Sequence, residues 1–73
     1  MADVRIVDAR GLSCPQPALM TREALQKESE GTIEVIVDNT TAQENVSRTA
    51  RNLGWNVTVD KRSGDEIHVV MEK

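Results

Sequence analysis

Phenylalanine and tyrosine are missing from this sequence, and tryptophan occurs once. An aromatic core is therefore excluded, and any core must come from Val, Ile, Leu, Ala and Met. Cysteine also occurs once, which rules out an internal disulfide and the disulfide scaffolds of small secreted domains. The lone Cys14 and the lone His68 lie far apart and cannot make a structural zinc site within one chain, so neither a metal nor a cofactor is expected. There is no run of about 20 apolar residues and no signal-peptide pattern, because the N-terminus already reads as a strand. No membrane partner is expected. The net charge of −3 offers no overall basic face for neutralising phosphates, which argues against a nucleic-acid partner. These absences together predict a cytoplasmic protein with a reduced thiol.

What is present fits one small domain spanning residues 1–73. A chain of this length buries only about 60% of its unfolded surface, so its core is small. Val4 to Asp8 is short and β-branched, with Val4 and Ile6 on one face and Arg5 and Val7 on the other. From Pro15 to about Ser29 the pattern is helical, and Pro17, Met20, Thr21, Ala24 and Leu25 share a face. Gly31 fits the helix stop. Thr32 to Val37 alternates as a strand. Thr41 and Glu44 then match a capping box, and Ala42, Val46, Thr49, Ala50 and Leu53 form the stripe of a second helix that Gly54 closes. Trp55 to Lys61 and Ile67 to Met71 alternate as two further strands, linked closely enough for an antiparallel hairpin. The order β-α-β-α-β-β predicts an α+β fold, a two-layer α/β sandwich with a mixed four-stranded sheet and both helices on one face.

The chemistry concentrates at Cys14-Pro15-Gln16-Pro17, where a strand gives way to a helix. Proline is tolerated in a first helical turn, whose N–H groups have no intrahelical partner. With Pro15 as the first helical residue, Cys14 is the N-cap, near the Gln16 N–H and the positive end of the helix dipole. That setting favours the thiolate, the reactive form. The competing reading is a small buried hydrophobe or a structural cap. Gly11 can take the positive φ that a tight loop requires, Leu12 packs down as an anchor, and Arg10 is the nearest cation. Leu19 falls on the outer helix face, free to meet a partner or simply exposed. Arg48 and Arg51 face outward, solvated or available to an acidic partner. His68 alternates outward on the last strand and reads as a surface residue.

The stretch Asp8-Ala9-Arg10-Gly11-Leu12-Ser13-Cys14-Pro15-Gln16-Pro17 resembles the signature of the TusA/SirA/YedF-like sulfur-carrier family, whose core is Cys-Pro-x-Pro. The resemblance runs nearly the whole chain. Val37-Asp38-Asn39 and Glu44-Asn45-Val46-Ser47-Arg48 are most similar to the amino-terminal domain of YedF-type proteins of selenium metabolism, which often carry a second, DsrE-like domain. The resemblance implies that Cys14 takes sulfane sulfur as a persulfide from a cysteine desulfurase or other donor and hands it to an acceptor protein. Gly11, Leu12, Pro15, Gln16, Pro17 and Arg10 would bind or position. A regulatory module of the SirA type, or a selenium carrier, is the alternative. Ser13 and Gln16 stand where the TusA pattern has an arginine and a glutamate, so TusA's charged partner contacts are not assumed for this chain.

Overall fold

A computed structural model describes residues 4–12, 16–28, 30–62 and 64–73. Its elements are β1 (Val4–Asp8), α1 (Gln16–Lys27), β2 (Thr32–Val37), α2 (Thr40–Asn52), β3 (Asn56–Lys61) and β4 (Ile67–Glu72). The sheet order is β1-β2-β4-β3, with β1 parallel to β2 and the other pairs antiparallel. The α+β architecture and element order match the expectation. Pro15 and Ser29, the expected ends of the first helix, lie outside the described residues.

The alternation in the strands becomes the two faces of the sheet. Ile33, Val35 and Val37 on β2 and Ile67, Val69 and Met71 on β4 point inward and are buried. They meet Ala24 and Leu25 of α1, and Ala42, Val46 and Ala50 of α2. Trp55 plugs the core just before β3. Among the described residues no helix covers the other face. There Val4 and Ile6, on the edge strand β1, remain 54% and 60% exposed.

At the helix ends two expectations change and a third holds. The cap of α2 is Asn39, not Thr41: Asn39 has extended backbone, and its Oδ1 accepts the Ala42 N–H at 2.7 Å. Both residue types make good caps. The helix starts two residues earlier because β2 ends at Val37 and the chain turns at once. At the other end Gly54 (φ 86°) closes α2 in a Schellman pattern, with Gly54 N–H bonded to the Arg51 carbonyl and Trp55 N–H to that of Ala50. Gly31 does not stop α1 but extends the β2–β4 ladder, exchanging two backbone bonds of 3.0 Å with Lys73.

His68 faces outward yet is only 7% exposed. It sits on a central strand, with Ile36 and Asp60 as cross-strand neighbours. Its Nε2 lies 2.6 Å from Glu66 Oε1, and its Nδ1 3.4 Å from Glu34 Oε2. Outward on a central strand is not the same as exposed.

Two predictions separate these features. Ile33→Ala is expected to cost about 2–5 kcal/mol of stability, and Ile6→Ala, on the uncovered face, no more than about 0.5 kcal/mol. Asn39→Ala is expected to cost about 1 kcal/mol, whereas Thr41→Ala costs only a few tenths. Urea unfolding midpoints at unchanged slope measure both pairs.

Candidate functional site

The parallel pairing of β1 with β2 brings two strand-to-helix junctions side by side, Asp8 to Gln16 and Val37 to Thr40. The last backbone rung between them is Ala9 N–H to the Ile36 carbonyl at 2.8 Å. Beyond it the loop turns away, and carboxylates take over from the ladder. The Arg10 N–H is accepted by Asp8 Oδ1 at 3.1 Å, closing a turn of the Asx kind. The next donor, the Gly11 N–H, is accepted by Asp38 Oδ2 at 2.8 Å across 27 residues of sequence.

Gly11 has φ 77°, the left-handed region expected of it. Leu12 is half-buried and packs on the core, as an anchor should. On the far side Gln16 opens α1, and Pro17 is buried beneath it. Pro17 also accepts, through its carbonyl, the Thr21 hydroxyl at 2.8 Å. Both flanks of the 13–15 segment are therefore held. Cys14 and Pro15 themselves, and the expected cap at Cys14, lie outside the described residues.

Arg10 is already engaged. Its Nε and one terminal nitrogen donate to the two oxygens of Asp8 at 2.9 and 2.8 Å, a bidentate pair. The guanidinium holds the Asp8 carboxyl down at about 2, chiefly through the side-chain bond and then through the Arg10 N–H. In return Asp8 keeps Arg10 more firmly protonated, with smaller contributions from Glu66 and Asp38. The first turn of α1 carries no acidic side chain to offset its positive end.

Sequence reading missed Asp38. Its Oδ2 holds Gly11, its Oδ1 accepts from Asn39 Nδ2 at 3.0 Å, and Asn39 caps α2. The available signal was an Asp-Asn pair at a strand end, in a β-α-β order that sets β2 next to β1. The depression beside Asp38, reaching Lys61 on β3, holds about 200 Å³. That is below the ~300–1,000 Å³ usual for small-molecule sites. Among the described residues no three His, Cys, Asp or Glu side chains are grouped to hold a metal. No described helix is long and apolar enough to cross a membrane.

Residues 5–73 match the family described as "Sulfurtransferase TusA". A Methanocaldococcus jannaschii protein, named as a candidate sulfur carrier, is 35% identical over 68 residues, covering 92% of this chain and 91% of its own. The crystal structure of a SirA-like protein from Desulfitobacterium hafniense superposes with a TM-score of 0.87 at 26% identity, covering 96% of each chain. With a family match that reaches from the second residue of β1 to the last residue, the chain belongs to the TusA family.

Proposed function

We propose that this protein is a sulfur carrier whose Cys14 holds the sulfur as a persulfide, with residues 1–73 working as one domain. The observation that carries the reading is the position of the only cysteine, inside a segment with both flanks fixed and a helix start directly after it. Family membership and the named relative support the same role.

The chemistry needs few groups. The Cys14 thiolate attacks the outer sulfur of a donor persulfide. A new S–S bond forms on Cys14, the donor's S–S bond breaks, and its electron pair leaves with the donor thiolate. No net oxidation occurs. The acceptor's nucleophile then attacks the outer sulfur in turn, and Cys14 departs as a thiolate. A single cysteine suits this cycle, since a second thiol in the chain would attack the persulfide and discharge it. A cysteine desulfurase is the proposed donor and a second protein the acceptor. Such a carrier works where thiols stay reduced, as in the cytoplasm.

Arg10 contributes order rather than free charge. Its guanidinium is spent on Asp8, so the helix end is left as the thiolate's main electrostatic support. Leu12 and Pro17 anchor the flanks, and Gly11 shapes the turn.

Two predictions follow from these assignments. After incubation with a cysteine desulfurase, cysteine and pyridoxal phosphate, intact-mass spectrometry is expected to show a gain of one sulfur. Reductant removes it, and Cys14→Ser, which keeps a capping side chain, never acquires it. A serine variant that still gains sulfur ends the reading. A wild-type protein that gains none, and whose thiol also resists alkylation when folded, favours a binding module with a structural Cys14. Second, Asp8 is expected to titrate at about 2 by carboxyl NMR, and in Arg10→Ala to rise toward the ordinary value of 3.8 without reaching it, because the variant loses the guanidinium but keeps the backbone N–H. A group whose folded pKa is depressed stabilises above its unfolded value. The Asp8–Arg10 contribution is therefore intact at neutral pH and fades only as pH falls from about 4 to about 2.

A further inference from the structure

We propose that Asp38 is a positioning residue for sulfur transfer: by accepting the Gly11 N–H it fixes the loop that delivers Cys14 to its partners. The inference rests on the sulfur-carrier reading and adds to it a residue that lies 24 positions from the cysteine in sequence.

The geometry gives Asp38 two tasks at once. One oxygen replaces the next rung of the β1–β2 ladder with a charge-assisted bond to Gly11. The other accepts from Asn39, whose own side chain caps α2. The loop before α1 is thereby tied to the start of α2, across the sheet edge where β1 and β2 both end. Without Asp38 the Gly11 N–H has no partner in the ladder, and the left-handed turn is held only by Asp8 from within the same loop. Among the described residues, the remaining long-range ties ahead of Cys14 would then be the Ala9 N–H bond to the Ile36 carbonyl and the packing of Leu12.

Asp38 is bonded to Gly11, three residues before Cys14 in sequence, and a negative charge at that range disfavours a thiolate by charge alone. Removing its charge would ease deprotonation of Cys14 and shift thiol reactivity to lower pH. On the expectation that Cys14 caps α1, loosening the loop acts oppositely, because a less firmly held thiolate loses part of the helix end's support. The direction of the shift therefore distinguishes positioning from a simple charge effect.

The test compares Asp38→Ala and Asp38→Asn with wild type by three readouts: Gly11 amide exchange by NMR, the pH profile of Cys14 alkylation by iodoacetamide, and the rate of sulfur loading from a desulfurase. Asp38→Ala is expected to speed Gly11 exchange and to slow loading by about tenfold each, the equivalent of one charge-assisted hydrogen bond. Its alkylation profile moves to higher pH. Asp38→Asn, which keeps an acceptor oxygen in place, recovers most of the loss. A freed Gly11 amide beside unchanged loading and alkylation overturns the proposal. So does a Gly11 amide that exchanges at the wild-type rate, or an alkylation profile displaced to lower pH. Should Asp38→Ala not fold, Asp38→Glu carries the test, because it keeps the charge but displaces the oxygen by a methylene. Lost Gly11 protection with unchanged reactivity would overturn the proposal equally. If wild-type protein takes no sulfur, the carrier reading fails, and the exchange and alkylation readouts alone decide on Asp38.

Discussion

The parallel pairing of β1 with β2 is the constraint on which the rest depends. Two parallel neighbours must be joined by a crossover, and here that crossover is α1. Both strands therefore end at the same edge of the sheet, and both helices begin there. The cysteine-bearing loop, the Asp38–Asn39 corner and the β3–β4 turn are consequences of that geometry. Nothing about Cys14 as a residue would gather them.

The division of labour between the two carboxylates follows from where they sit. Asp8 works within its own loop, taking both the backbone and the guanidinium of Arg10. It orders the turn and removes Arg10 as a free cation. Asp38 works across the sheet, on Gly11. Between them, two consecutive backbone donors of an exposed loop are satisfied by side chains. A small domain with a thin core can in this way hold one stretch of chain still without enclosing it. A carrier has to offer its sulfur to more than one protein, so an open edge suits it better than a pocket.

Much of this was legible in the sequence, for physical reasons. Alternation in β2 and β4 identified the inward residues, because a sheet covered on one face separates its side chains by period two. Gly11 and Gly54 marked two of the four positive-φ positions among the described residues. What failed was whatever depends on neighbours across the sheet. His68 alternates outward, yet its place between β2 and β3 buries it against Glu34 and Glu66. The capping box at Thr41 had the right residues, but the turn after Val37 gave the cap to Asn39. The Asp-Asn pair after Val37 marked a strand end, but Asp38's bond to Gly11 was not legible, since that partner is brought to it only by the fold.

Sulfur that is carried, and not merely acquired, has to leave the protein for an acceptor, and one measurement reaches that step directly. The protein is loaded with isotopically labelled sulfur, freed of donor, and mixed with a thiol-bearing acceptor while the label and the Cys14 thiol are followed by mass spectrometry. With Cys14 as the proposed carrier, the expected result is that the label moves to the acceptor and Cys14 returns as a free thiol in equal amount. Label that stays on the protein, or leaves only as sulfide while Cys14 joins the acceptor in a disulfide, would contradict it.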